Sequence, residues 1–227
     1  MSMTEKFRVE QKSKVFVVDD HPIVRQGLTL LINRECDLVV CGEADEMHAA
    51  LQAIEATKPD IIVLDISLNG PDGLDVLKHI RASHPKLPVL MLSMHDESIY
   101  AERALRAGAN GYIMKQEAAE KVLVALRRIL SNEIYVSERI ANDMLRHYVR
   151  GNPDAQLSPV TELSDRELEV FRLIGHGHST RQIATELHLS VKTVESYQAH
   201  IKDKLSLHSA RELVQHAIRW TVRDKIA

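Results

Sequence analysis

The stretch Ile61-Ile62-Val63-Leu64-Asp65 is a short apolar run that ends in a carboxylate. A run of aliphatic side chains with no polar face is typical of a strand buried on both faces of a parallel sheet. The chain has similar runs at residues 15–18, 38–41, 89–92 and 112–114. Candidate helices separate them, at residues 22–33, 47–57, 73–83, 98–107 and 118–130. Five successive strand–helix units predict a doubly wound, flavodoxin-like α/β sheet with strand order 2-1-3-4-5.

The pattern changes after residue 150, where the strand signals stop. Residues 151–159 combine Gly, Pro, Asn and Ser without periodicity, which indicates a linker. Four short helices are predicted beyond it. Three open with an S-x-x-E/Q capping box and the fourth with a single serine: Ser164, Ser179, Ser209 and Ser190. The turn 188–190 joins the candidate helices 180–187 and 191–205, which is helix-turn-helix spacing.

These features predict two domains, which suits a chain of 227 residues with a hydrophobic fraction of 44%. The predicted parts are a disordered leader at 1–13, an α/β domain at 14–131, a helical linker at 132–160 and an all-α four-helix domain at 161–227. The leader lacks the apolar core of a signal peptide, and no apolar run approaches the roughly 20 residues of a membrane span. A cytoplasmic protein without membrane contact is therefore expected.

The charge of the chain is distributed unevenly between these parts. The net charge is −3, but residues 161–227 hold ten Lys/Arg against nine Asp/Glu, whereas the preceding residues are acidic. This small asymmetry permits nucleic-acid binding by the tail without requiring it.

Polar side chains follow four of the five predicted strands at the point where each strand ends. They are Asp19, Asp20, Asp65, Ser93 and Lys115. In a doubly wound sheet the carboxyl ends of the strands form the ligand-binding edge. Three carboxylates in one crevice repel one another, and a hard divalent cation such as Mg²⁺ relieves that repulsion best. Carboxylate, Mg²⁺, lysine and hydroxyl together are the parts that phosphoryl transfer needs. The alternative for each residue alone is an ordinary solvated loop position.

The chain resembles bacterial two-component response regulators of the NarL/FixJ family. The motifs Val17-Val18-Asp19-Asp20-His21-Pro22 and Gly108-Ala109-Asn110-Gly111-Tyr112 resemble the CheY-like receiver domain of that family, over residues 14–131. The stretches Leu163–Val170 and Ser190–Tyr197 resemble its LuxR-type helix-turn-helix. The resemblance thus covers nearly the whole chain.

The resemblance implies that Asp65 is the phosphoacceptor of a sensor histidine kinase. It implies a Mg²⁺ site formed by Asp19, Asp20, Asp65 and the backbone carbonyl of Ser67. Ser93 and Lys115 would hold the phosphoryl oxygens, and Tyr112 stands where the family has an aromatic residue whose rotamer follows Ser93. One departure is that Leu68-Asn69 replaces the usual Met-Pro, with Gly73 still in register.

The second helix of the helix-turn-helix is the expected DNA reader. Val194, Ile201 and Leu205 form an apolar seam, and the polar face lies opposite it. The candidate DNA-binding residues are Arg181, Lys192, Thr193, Glu195, Ser196, Ala199, His200, Lys202 and Lys204. A dimer that binds double-stranded DNA when phosphorylated is expected, because a single copy would bind weakly.

Three other functions remain open. The tail on its own could be a helical protein-interaction module. An aspartate-nucleophile phosphatase is disfavoured, because such enzymes need a second aspartate where Ser67 stands; the chain is expected to be no enzyme beyond slow autodephosphorylation. A transcription factor that ignores phosphorylation would show no change in dimerisation with acetyl phosphate.

Overall fold

The computed structural model describes residues 12–68, 73–94, 97–149, 160 and 163–224. The chain divides into two compact units between Arg150 and Gly151. The strands of the first unit are β1 (Ser13–Val18), β2 (Leu38–Ala44), β3 (Ile61–Asp65), β4 (Val89–Ser93) and β5 (Gly111–Met114). Its helices are α1 (Pro22–Asn33), α2 (Met47–Thr57), α3 (Gly73–Ser83), α4 (Glu97–Arg106), α5 (Ala118–Leu130) and α6 (Glu138–Val149). The second unit contains α7 (Asp165–Gly175), α8 (Thr180–Glu186), α9 (Val191–Lys204) and α10 (Ala210–Asp224).

The five strands form one parallel sheet in the order β2-β1-β3-β4-β5, which confirms the predicted topology. Alternate side chains point to opposite faces of the sheet. On one face, Val15, Val17 and Val63 pack with residues of α1 and α5, and all of these side chains are buried. Helices α1, α2, α3 and α5 begin and end at the predicted residues, whereas α4 lies one residue earlier than predicted.

The predicted connection at 132–160 contains the helix α6, which lies in the first unit. The backbone of Tyr135 pairs with β5: the N–H of Tyr112 donates to the Tyr135 carbonyl at 2.9 Å, and the N–H of Tyr135 donates to the Asn110 carbonyl at 3.0 Å. At the start of α6, Ser137 Oγ donates to Glu97 Oε1 at 2.8 Å. These contacts satisfy edge groups of the sheet and hold the segment after α5 against the α/β unit.

Parts of the predicted leader and linker lie outside the described residues, namely 1–11 and 150–159. Ser13, predicted to end the leader, is the first residue of β1. No helix among the described residues is long and apolar enough to cross a membrane.

Arg81 ties the carboxyl end of α3 to the loops that precede β4 and β5. Its Nε donates to the Gly108 carbonyl at 2.8 Å, its Nη1 to the Leu87 carbonyl at 2.5 Å, and its Nη2 to Asn110 Oδ1 at 2.9 Å. The same Asn110 oxygen accepts the N–H of Val89 at 3.0 Å. One guanidinium therefore fixes the entry points of two strands.

We expect Arg81→Met to lower the free energy of unfolding of the first unit by about 2–4 kcal/mol, because several partly buried acceptors lose a charged donor. The measurement is hydrogen exchange of the β4 amides. The matched control is Lys78→Met on the same helix, whose ion pair with Asp75 joins two side chains that are more than half exposed. That control should change stability by less than about 0.5 kcal/mol. Equal protection of the β4 amides in the two variants would contradict this role of Arg81.

The second unit is a bundle of four helices, as predicted. Phe171 of α7 contacts the rings of His216 and Trp220 on α10, at centroid distances of 5.9 and 5.7 Å. The capping boxes at Ser164 and Ser179 are present. The one predicted at Ser209 is incomplete, because the Glu212 carboxylate accepts the N–H of His208 instead of that of Ser209.

Candidate functional site

The polar residues predicted to meet at the carboxyl edge of the sheet do lie there. Asp65 is the last residue of β3, Ser93 is the last residue of β4, and Lys115 directly follows β5. Asp19 follows β1, which is hydrogen-bonded to β3 in the sheet. Asp19, Asp65 and Ser93 are all buried, with no more than 1% of each residue exposed. The parallel order of these strands therefore gathers an acidic pocket from residues far apart in the chain.

Lys115 is the cation of this pocket. Its Nζ lies 2.7 Å from Asp65 Oδ2 and 2.7 Å from Asp19 Oδ2, and only 6% of its side chain is exposed. Burial opposes the charged form of Lys115, but the charges and hydrogen bonds of Asp65 and Asp19 outweigh burial and raise the pKa of Lys115. A protonated lysine thus bridges two carboxylates in a buried site.

Asp65 is a weaker acid than an ordinary aspartate, because its pKa is raised. Burial raises its pKa to about 6, the charge of Asp19 acts in the same direction, and Lys115 acts against them. The Ser67 N–H also donates to Asp65 Oδ1 at 3.1 Å, which favours the ionised form. At neutral pH most Asp65 carboxyls are therefore ionised, and the neighbouring donors compensate their negative charge only in part.

The acidic pocket has the donor set of a hard divalent cation. Single ligand atoms from Asp19, Asp20, His21 and Asp65 all lie within 4.8 Å of one another. Oδ1 of Asp20 is buried and makes no hydrogen bond of acceptable geometry among the described residues, although His21 Nδ1 is 2.6 Å away. An orphaned carboxylate oxygen beside two other carboxylates fits Mg²⁺, which prefers oxygen ligands.

Two residues of the pocket were missed at the level of sequence. His21 places its Nδ1 3.2 Å from Asp19 Oδ1, and its backbone N–H donates to the same oxygen at 2.8 Å. Arg25 donates from Nη1 to the Asp19 carbonyl at 2.6 Å. The only signal in the sequence was their proximity to the Asp19-Asp20 pair, so their contacts follow from the turn between β1 and α1.

Tyr112 lies inside the protein rather than on its surface. Tyr112 is 1% exposed, and it pairs with Met91 of β4 in the sheet. Tyr112 therefore lies on β5, three residues before Lys115 and beside the strand that ends in Ser93.

The helix-turn-helix is built from α8, the turn at His188 and α9. His188 has a φ of 52°, and the N–H of Leu189 donates to the Ala184 carbonyl at 2.8 Å. Ser190 then caps α9 by accepting the N–H of Thr193 at 3.0 Å. Between the helices, Gln198 Nε2 donates to Thr180 Oγ1 at 3.3 Å.

The face of α9 opposite its buried seam is open to a ligand. Val194 and Ile201 are fully buried and Leu205 is 8% exposed, as predicted for the seam. The exposed candidate residues are Arg181, Lys192, Glu195, Ser196, Ala199, His200 and Lys204, with Thr193 and Lys202 partly buried. The structure adds two ties that the sequence did not indicate: Thr193 Oγ1 is 2.7 Å from Ser190 Oγ, and Lys204 pairs with Glu167.

Comparison with known proteins gives two family matches. Residues 15–127 match the response regulator receiver domain, and residues 161–217 match the luxR family of bacterial regulatory proteins. The oxygen regulatory protein NreC of Staphylococcus haemolyticus is 35% identical over 215 residues, which cover 93% of this chain and 99% of the relative.

Solved structures agree with the family matches. A LuxR-family two-component response regulator from Aurantimonas sp. is 34% identical, with a TM-score of 0.57, over 61% of this chain and 99% of that one. The response regulator RcsB in a complex with DNA has the same fold at 24% identity and a TM-score of 0.56, over 90% of this chain and 97% of its own. With its parallel sheet, acidic pocket and helix-turn-helix, the chain belongs to the NarL/FixJ family of DNA-binding response regulators, in which a receiver domain precedes a LuxR-type domain.

Proposed function

We propose that Asp65 accepts a phosphoryl group from a sensor histidine kinase in the cytoplasm and thereby controls dimeric DNA binding by the helix-turn-helix. The observation that carries the proposal is the fully buried Asp65 carboxylate, held 2.7 Å from a lysine that also holds Asp19. We assign the switch to residues 14–131, the DNA-binding output to 161–227 and their connection to 132–160.

The transfer is a single displacement at phosphorus. An Asp65 oxygen forms the new bond to phosphorus while the bond to the histidine nitrogen of the kinase breaks, and its electron pair stays on the imidazole. Lys115 lies beside Asp65 and would meet the negative charge of the incoming group. Ser93, at the end of the neighbouring strand, would donate its hydroxyl to a phosphoryl oxygen.

The carboxylates of Asp19, Asp20 and Asp65 and the carbonyl of Ser67 would hold Mg²⁺. When bound, the ion supplies positive charge that neutralises the phosphoryl oxygens during transfer. Ser67 follows the acceptor by two residues and offers no second carboxylate, so hydrolysis of the phosphoryl-aspartate should be slow. The chain would then act as a switch with at most slow autodephosphorylation.

The decisive experiment is incubation of the full chain with acetyl phosphate and Mg²⁺, followed by intact mass and peptide mapping. The expected result is one added phosphoryl group, on Asp65, and none in EDTA. Dimerisation, followed by light scattering, and affinity for DNA selected in vitro should both rise with the modification. A modified protein with unchanged dimerisation and DNA affinity would favour a transcription factor that ignores phosphorylation.

Two observations support the proposed DNA binding. They are the exposed face of α9 and the fold shared with RcsB, whose structure holds DNA. With about four phosphate contacts per subunit, the slope of log K against log salt should be near −3.6 for one copy and near −7 for a dimer. A salt titration therefore distinguishes one bound copy from two.

We expect Ser93→Ala to keep phosphorylation of Asp65 but to weaken the increase in DNA affinity that follows it. Shifting a two-state equilibrium from 1:99 to 99:1 takes about 5.5 kcal/mol, and one charge-assisted hydrogen bond supplies about 1.5–3 kcal/mol of it. Phosphoryl uptake should stay near the wild-type level, while the gain in DNA affinity on phosphorylation falls by about 10- to 100-fold. Ser93→Thr, which keeps the hydroxyl, is the control. An unchanged gain in Ser93→Ala would remove Ser93 from the switch.

A further inference from the structure

One carboxylate in the second unit joins the start of α7 to the end of α9. Glu167 is 4% exposed, and its Oε2 accepts the Ser164 N–H at 2.7 Å and Lys204 Nζ at 2.6 Å. Its Oε1 lies 3.8 Å from His200 Nδ1. The glutamate that caps α7 therefore also binds α9, the second helix of the helix-turn-helix.

The chemistry of this pair favours a permanent contact. Burial alone would raise the pKa of Glu167, but the hydrogen bonds from Lys204 and Ser164 outweigh it and lower that pKa. Glu167 is thus ionised at neutral pH inside the bundle. If Lys204 left it for a DNA phosphate, a buried carboxylate would lose its cation, and such a loss is strongly unfavourable.

Lys202 offers a direct contrast on the same helix. It lies two residues before Lys204 and is partly buried where Lys204 is exposed, but it forms no ion pair within the part of the chain that the structure describes. Its charge is available to a phosphate without breaking another contact. The structure therefore gives a buried carboxylate partner to Lys204 and no ion pair among the described residues to Lys202.

We infer that Glu167 and Lys204 form a positioning pair that sets the orientation of α9, and that Lys204 contributes no charge to the DNA. The inference rests on the proposed binding of DNA by α9. The buried seam of Val194 and Ile201 fixes which face of α9 points inward. The Glu167–Lys204 pair adds a directional contact at the carboxyl end of α9. The residues that would enter the major groove lie at the other end of α9, so a small tilt of the helix at Lys204 displaces them.

Salt dependence distinguishes positioning from direct contact. Each phosphate contact adds about 0.9 to the magnitude of the slope of log K against log salt. We expect Lys204→Met to weaken binding of the in-vitro-selected duplex by the acetyl-phosphate-treated full chain by about tenfold, with the slope unchanged. Lys202→Met should instead reduce the slope by about 0.9 per subunit. Trp220 fluorescence, from the only tryptophan of the chain, checks that each variant is folded.

Three further variants complete the test. Glu167→Gln keeps the cap of α7 but lacks the charge, so it should reproduce the Lys204→Met effect, and the double variant should be no worse than either alone. Lys204→Arg should restore near wild-type affinity. The inference is overturned if Lys204→Met loses about 0.9 of slope as Lys202→Met does, or if Glu167→Gln binds like the wild type. Absence of DNA binding by the wild-type chain would overturn the proposed function instead.

Discussion

Asp65→Asn is expected to abolish phosphoryl uptake from acetyl phosphate and to leave a chain that cannot be switched. The amide is isosteric with the carboxylate, so it fits between Lys115 and the Ser67 N–H, but it is not a nucleophile. Asp19 and Asp20 remain in place and are not expected to take over, because in the proposed function they hold Mg²⁺. The measurement is intact mass and peptide mapping after incubation with Mg²⁺.

The matched control for this variant is Asp75→Asn, on an exposed side chain of α3. It should take up phosphoryl groups at the wild-type rate. One added phosphoryl group in Asp65→Asn, mapped to another aspartate of the pocket, would show that the acceptor has been misassigned.

The same substitution should change how the stability of the receiver depends on pH. Burial raises the pKa of Asp65 from 3.8 to about 6, so the folded state holds this proton more tightly than the unfolded state does. The resulting stabilisation is complete below pH 4 and is lost as the pH rises through 6. A shift of this size corresponds to about 3 kcal/mol as an order of magnitude.

In EDTA, the free energy of unfolding of the wild-type receiver should therefore fall relative to Asp65→Asn as the pH rises from about 4 to 7. Hydrogen exchange of the β1 and β3 amides measures the difference between the two proteins, and groups common to both cancel. If the stability of the two proteins changed with pH in the same way, the charge of the buried Asp65 carboxylate would be better compensated than its surroundings indicate.

The sheet and most helix boundaries could be predicted from the sequence because local chemistry marks them. Pro22 begins α1, and the all-apolar runs leave a buried parallel sheet as the only simple solution. The pocket could be predicted for the same reason, since a parallel sheet brings strand ends together whatever fills the loops. Asp65 and Lys115 are 50 residues apart, and topology alone predicts their contact.

Contacts that depend on a single pairing between distant residues could not be predicted. The pairing of Tyr135 with β5 involves one residue and leaves no periodic pattern, so the segment after α5 resembled a linker. Glu167 and Lys204 are separated by 37 residues, and no local pattern predicts that they pair. Side-chain partners of this kind follow from packing of the finished bundle rather than from local propensity.

Gly73→Ala is expected to damage the receiver more than an added methyl group at any other glycine of that domain that the structure describes. A Cβ on Gly73 would lie 2.0 Å from the Asp65 carbonyl oxygen and 2.7 Å from the Ile66 Cα, both backbone atoms at the carboxyl end of β3. Neither is the end of a flexible side chain, so α3 or the end of β3 must move. The move also strains the hydrogen bond from the Gly73 N–H to the Ile66 carbonyl at 2.8 Å. Overpacking of this kind costs about 1–3 kcal/mol or more.

Displacement of the Asp65 backbone should also slow phosphoryl transfer, by about 100-fold for a shift near 1 Å. The matched control is Gly27→Ala in α1, where an added Cβ meets nothing within 4 Å. Because glycine weakens a helix interior, that variant should gain about 0.5–1 kcal/mol and keep the wild-type rate of uptake. Hydrogen exchange of β3 should therefore move in opposite directions in the two variants, with Trp220 fluorescence of the second unit unchanged in both. If Gly73→Ala were as stable and as fast as Gly27→Ala, the close approach of α3 to the acceptor strand would have no role in shaping the site.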